Sequence, residues 1–253
     1  MEGKQLNLFI NPAKVPDEEF SKKNFENKMP TVEDILKTME KGTYKVGNHE
    51  LLADTFECGA LAISNKFDFH NFSKREEKYL QIMKKHTPDV QNLISEIFAQ
   101  IYALLTTQIY TGFSDHLGEL YMRSETSNSK SGQFFTPYHV SKLCAESAVN
   151  ADEIQEYIEH DKNLTLHEPT CGSGGMIIAL ADILYNKYHF NISRNLFVEC
   201  GDIDSRCVHM AYLQLSLAGI PAVIYHRDGL TLATWDKWET PAYIMQYSRF
   251  KGG

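Results

Sequence analysis

Apolar positions change their rhythm partway along the chain, and the change divides it. From Thr31 to about Tyr121 they recur every three or four residues, the period of helices that bury one face. Val90, Leu93, Ile94, Ile97, Phe98, Ile101, Leu104, Leu105 and Ile109 form the longest stripe. Thr87-Pro88 supplies its start, because proline is tolerated at the first helical position. Thr31 followed by Glu33 and Asp34 predicts a capped helix to about Lys41, with acids near the positive end of its dipole. Ser73 and Glu76 have the spacing of a capping box and predict a helix over Lys74 to Lys85. Farther on, apolar positions fall in short runs with helices between them: Leu164 to Glu168, a helix from Gly174 to about Tyr188, Leu196 to Gly201, a helix from Ser205 to Leu217, and Ala222 to His226. That alternation predicts β-α-β units and a parallel sheet covered on both faces. Right-handed crossovers then collect the ligand-binding strand ends along one edge.

The stretch Ser124 to Gly132 is nearly all small or polar, the composition of a hinge. It divides the expected organisation into an arm over 1–30, a helical domain over 31–123 and an α/β domain over 124–253. Of the 253 residues 43% are apolar and 23% charged, which excludes wholesale disorder. With 25 basic and 33 acidic residues the net charge is −8, so no global field attracts phosphate. A nucleic acid would have to be held by a local basic surface or a partner. The densest basic region, Ser73 to Lys78 with Lys84, Lys85 and His86, is interleaved with acids and reads as a solvated helix face. The 5 cysteines include no Cys-x-x-Cys pair; no metal site is expected, and a reducing cytoplasm is. Met1 to Asp17 lacks the pattern of a signal peptide, and no run reaches the roughly 18 apolar residues of a membrane span.

The most informative segment is Glu168-Pro-Thr-Cys-Gly-Ser-Gly-Gly175, a strand entering a glycine-rich turn that opens a helix. Gly172, Gly174 and Gly175 let backbone approach a ligand closely, or serve only the dihedrals of a tight connection. The spacing is neither that of a dinucleotide loop nor that of a Walker loop. Glu168, just before the turn, suits a cationic amino group. The next strand ends at Asp202-Ile203-Asp204, where a carboxylate can accept both hydroxyls of a ribose; Asp202 is the candidate, and Asp204 reads as a helix cap. Asp228, after the third strand, can accept from an adenine amino group or simply hold a turn.

Gly132-Gln-Phe-Phe-Thr-Pro137, Glu168 to Gly175 and Asp202-Ile-Asp204 together resemble the N-6 adenine DNA methyltransferases, in particular the modification subunit of type I restriction systems. The resemblance covers roughly Leu117 to Asp228. It implies a Rossmann-like methyltransferase domain behind an all-helical one, S-adenosylmethionine as cofactor, and double-stranded DNA with an adenine target. It also implies roles for particular residues. Phe135, Thr136 and Pro137 would close over the methionine end of the cofactor, Thr170 and Gly172-Ser173-Gly174-Gly175 would underlie it, Asp202 with Ile203 would hold the ribose, and Asp228 the adenine. A specificity or catalytic partner subunit, or a second copy, is implied as well.

The catalytic tetrapeptide of that family, Asn/Asp-Pro-Pro-Tyr/Phe, is missing. Its oxygen acceptors draw on the hydrogens of a delocalised adenine nitrogen, and its ring stacks on a flipped base. The nearest echo is Thr240-Pro241-Ala242-Tyr243, which makes Pro241 and Tyr243 the catalytic candidates, with Trp235 and Trp238 as further aromatic rings. Asp228 to Glu239 does not read as an apolar strand. The legible strands end at His226, leaving an edge that needs covering. Another subunit would cover it, or Leu6 to Ile10 and Leu61 to Phe69 would add strands. A protein that binds the cofactor without transferring its methyl is the other reading.

Overall fold

The computed structural model describes residues 29–42, 45–125 and 135–250. The expected arm before Met29, the possible strand Leu6 to Ile10 and the segment Gly132 to Phe134 lie outside the described residues.

Seven helices precede the sheet among the described residues: α1 (Val32–Glu40), α2 (Asn48–Ser64), α3 (Phe72–Lys84), α4 (Pro88–Thr111), α5 (His116–Glu125), α6 (Tyr138–Ala148) and α7 (Ala151–Glu159). At the start of α1 Asp34 N donates to Thr31 Oγ1 (3.2 Å) and Thr31 N to Asp34 Oδ2 (3.0 Å), a complete capping box. Pro88 opens α4 as expected, and Gly112, at φ 108°, ends it. The box expected at Ser73 does not form. Glu76 is drawn instead to Asn65 Nδ2 (2.8 Å), and α3 begins two residues earlier, where Asp68 accepts from Asn71 N (3.2 Å). Leu61 to Phe69 is the end of α2 and the turn after it, not a strand, because Leu61 and Ser64 are buried on the helix.

The α/β part runs β1 (Leu164–Glu168), α8 (Gly175–Tyr188), α9 (Ile192–Asn195), β2 (Leu196–Asp202), α10 (Ser205–Leu217), β3 (Ala222–Arg227), β4 (Thr234–Glu239) and α11 (Pro241–Phe250). The sheet order is β1-β2-β3-β4. The first three strands are parallel and β4 is antiparallel to β3, with Val223 opposite Glu239 and His226 opposite Asp236. The strand β4 departs from expectation because it is an edge: Trp238 turns inward while Thr234, Trp235 and Lys237 face solvent, a polar composition that suits an unpaired edge.

One apolar core runs from Val32 on α1 to Trp238 on β4, so the N-terminal helices and the sheet are packed together. Arg75, expected on a solvated face, is buried at this junction. Its guanidinium pairs with Asp68 (2.6 Å), donates to Lys237 O (2.9 Å) and lies 4.2 Å from the Trp238 ring centroid. No described helix is long and apolar enough to cross a membrane.

Candidate cofactor site

Parallel pairing brings Glu168, Asp202 and Arg227-Asp228 to the same edge of the sheet, where the loop after β1 turns into α8. That loop is fixed by its backbone. Cys171 N donates to Gly201 O (2.8 Å), tying the turn to β2. Gly172 and Gly174 sit at φ 53° and 94°, left-handed conformations that glycine adopts without steric cost. The ring of Phe135 lies over Gly172, where an added Cβ would come within 3.2 Å of it.

Asp202 closes the turn from the side. Its Oδ2 accepts from Gly172 N and its Oδ1 from Asp204 N, each at 2.9 Å. A carboxylate oxygen has further lone pairs, so these bonds aim the group without exhausting it. Asp204 caps α10 through Arg206 N (2.9 Å), as expected. Burial alone would raise its carboxyl, but hydrogen bonds from Arg206 and the guanidinium charge outweigh burial and hold it below the usual range.

A cavity of about 210 Å³ opens at this turn. Its walls include Phe135, Thr136, Thr170, Gly172, Ser173, Gly175 and Asp202, all candidates from the sequence. Pro137, Glu168, Gly174, Ile203 and Asp228 stand around it. Pro137 caps α6, Glu168 Oε1 accepts from Thr170 N (3.1 Å), and Ile203 is exposed beside Asp202. Asp228 holds the turn after β3: bonds from Leu230 N (2.8 Å) and Thr231 keep its carboxyl below the usual range. That turn touches the first loop, since a Cβ on Gly229 would lie 3.3 Å from Pro169 O.

The sequence reading missed Asp115. This buried carboxylate lines the cavity and accepts from Ser173 Oγ (2.6 Å), Gly118 N (2.9 Å) and Gln214 Nε2 (2.8 Å). The only local signal was an acid just before α5. Gly175 is required beside it, because an added Cβ would come within 2.6 Å of Asp115 Oδ2. Among the described residues its wall thus carries two carboxylates, Asp115 and Asp202, and no Lys, Arg or His. Such a wall fits a ligand with positive charge, as a sulfonium amino acid has. Cys171, in that wall, and Cys200 are buried; the hydrogen bond between them and then burial push the Cys171 thiol up, so it stays protonated and inert.

The catalytic candidates lie elsewhere. Thr240 Oγ1 donates to Ile220 O (2.8 Å) and accepts from Ala222 N (2.9 Å), which pins the start of α11 to the start of β3. Asp202 pairs with His226 near the other end of that strand. Tyr243 is buried with its ring stacked on Phe197 (centroids 5.4 Å, 22°). The structure thus does not bring Pro241 and Tyr243 to the cavity: both are buried at the opposite edge. Trp238 is buried too, against His209 and Tyr212, whereas Trp235 is exposed near His226. A Tyr243→Ala variant is expected to lose about 2–4 kcal/mol of stability in urea unfolding from the cavity it leaves, with cofactor affinity unchanged within twofold. A large loss of affinity with the fold intact would restore the residue to the site.

The family described as N-6 DNA Methylase matches residues 113–251, more than half of the chain. The protein belongs to the N-6 DNA methylase family. The match begins just before Asp115, so it takes in the whole cavity wall. Two solved structures align with this N-6 DNA methylase chain. One, described as a class I S-adenosylmethionine-dependent methyltransferase from Listeria monocytogenes, has 15% identity and a TM-score of 0.36, over 73% of this chain and 55% of that one. The other, the type I restriction-modification system methyltransferase subunit from Streptococcus thermophilus, has 14% identity and a TM-score of 0.33, over 81% of this chain and 55% of that one. The chain therefore spans little more than half the length of either. No curated protein matches it significantly.

Proposed function

We propose that the chain binds S-adenosylmethionine in the cavity between Phe135 and Asp202 and, with a partner that completes the acceptor site, methylates the exocyclic amino group of adenine in double-stranded DNA. The observation that carries this reading is the pair of carboxylates, Asp115 and Asp202, in a wall that has no cationic side chain among the described residues. The bound cofactor supplies an electrophilic methyl on a positively charged sulfur. Asp202 accepts from the ribose hydroxyls beside Ile203, and Asp228 from the adenine amino group. Asp115, better placed than Glu168, faces the ammonium. Phe135, Thr136 and Pro137 cover the methionine end, and Thr170 with the Gly172 to Gly175 turn supports it.

The acceptor side rests on a partner, because Thr240 to Tyr243 is committed to packing at the far edge. Trp235 is an exposed ring on the cofactor edge and is available to stack on a base. A net charge of −8 likewise favours target recognition by another subunit in the cytoplasm. The packed position of Tyr243 also favours a second reading, a catalytically silent cofactor-binding module.

Calorimetry with S-adenosylmethionine, followed by radiolabelled methyl transfer to unmethylated duplex DNA with and without co-expressed neighbouring subunits, tests both. Binding, with label in DNA only when a partner is present, is the expected result. Binding without label in any combination favours the silent module, and absence of binding by folded protein ends both readings.

A further inference from the structure

A second cavity, of about 390 Å³, lies between the helical layer and the opposite edge of the sheet. Its size falls in the range of roughly 300–1,000 Å³ found for small-molecule sites. The walls are mainly apolar, with Phe98, Tyr102 and Ile109 from α4 facing Leu217 of α10 and Ala242 and Met245 of α11. It is separate from the cofactor cavity, since Ala218 and Gly219 at its wall precede β3 whereas Asp202 ends β2.

Gln108 also lines this cavity. It is 0% exposed, and neither its Nε2 nor its Oε1 has a hydrogen-bond partner. A buried amide left without partners is costly, and native interiors seldom hold one idle. A carboxamide offers one donor and one acceptor side by side, and its natural complement is a flat group with the reverse pair on one edge. Glutamine meets the edge of adenine in this way. Aromatic walls suit the faces of the same kind of ring.

We infer that this cavity is a second ligand site, which takes a small planar heterocycle through an amide-like edge held by Gln108. The ligand is bound away from the cofactor edge and does not react there.

The test is calorimetric titration of the full chain with adenine, hypoxanthine and nicotinamide, repeated with saturating S-adenosylmethionine. Saturable binding of at least one probe is expected, undiminished by S-adenosylmethionine, at least tenfold weaker in Gln108→Leu and lost in Ala62→Phe, which places a ring in the cavity. The Gln108→Leu variant should also unfold at a higher temperature than the parent, because the idle amide is gone. Failure of all three probes to bind overturns the proposal. So does binding that S-adenosylmethionine displaces, or that both substitutions leave unchanged in folded protein.

Discussion

An Asp202→Ala variant keeps its fold and binds S-adenosylmethionine roughly tenfold to a hundredfold more weakly than the parent, because hydrogen bonds to a charged acceptor contribute about 1.5–3 kcal/mol. Two losses combine in that figure. On the proposed reading the ribose hydroxyls lose their acceptor, and Gly172 N and Asp204 N lose the group that fixes the glycine turn against β2. An Asp202→Asn variant keeps one acceptor oxygen and should fall between the two. Calorimetry gives the affinities and circular dichroism checks the fold. Parent-like affinity in the alanine variant would remove Asp202 from the ribose.

The largest effect on stability is expected from Asp68→Ala. Arg75 would remain buried among Trp238, Ser64 and Lys237 O with its counter-charge gone, and a broken buried pair costs about 3–5 kcal/mol. Adding Arg75→Met should recover much of the loss, since an apolar side chain of similar length needs no partner. Burial alone would raise the Asp68 carboxyl, but hydrogen bonds from Asn71 and the Arg75 charge outweigh it and hold it below its ordinary value. The pair's contribution is therefore complete above the ordinary carboxylate range and is lost as pH falls through the depressed folded value. Urea unfolding at several acidic pH values should show the parent losing stability more steeply than Asp68→Ala. Parallel curves would mean that the carboxylate is not the linked group.

Local pattern carried some elements nearly whole. The ranges of β1 and α10 match the reading of their apolar runs, and the turn between Glu168 and Gly175 announced itself by residues that only a tight backbone needs. Elsewhere the decisive partners are remote. Ser173 is 58 residues from Asp115 and Gln214 is 99, so no local window links the three. The strand β4 is held by backbone pairing to β3 at an edge, which leaves little periodicity to read. On α6 the stripe Val140, Leu143 and Cys144 resembles a core face, yet those residues are exposed and Ser141 and Ala145 are buried, because small side chains let α6 approach Ala179 and Ile183 on α8 closely. The place of Tyr243 was illegible for a related reason: a short resemblance says nothing about which end of the sheet receives it.

Of the 5 cysteines, Cys58, Cys171, Cys200 and Cys207 are buried and Cys144 is exposed. Burial pushes the Cys58 thiol up to about 12, which keeps it from forming thiolate near neutral pH. A maleimide dye should therefore attach selectively to Cys144, on the helix that begins just after Phe135-Thr136. The native chain thus comes with its own single-point optical reporter beside the site, and no cysteine-free background has to be engineered to use it.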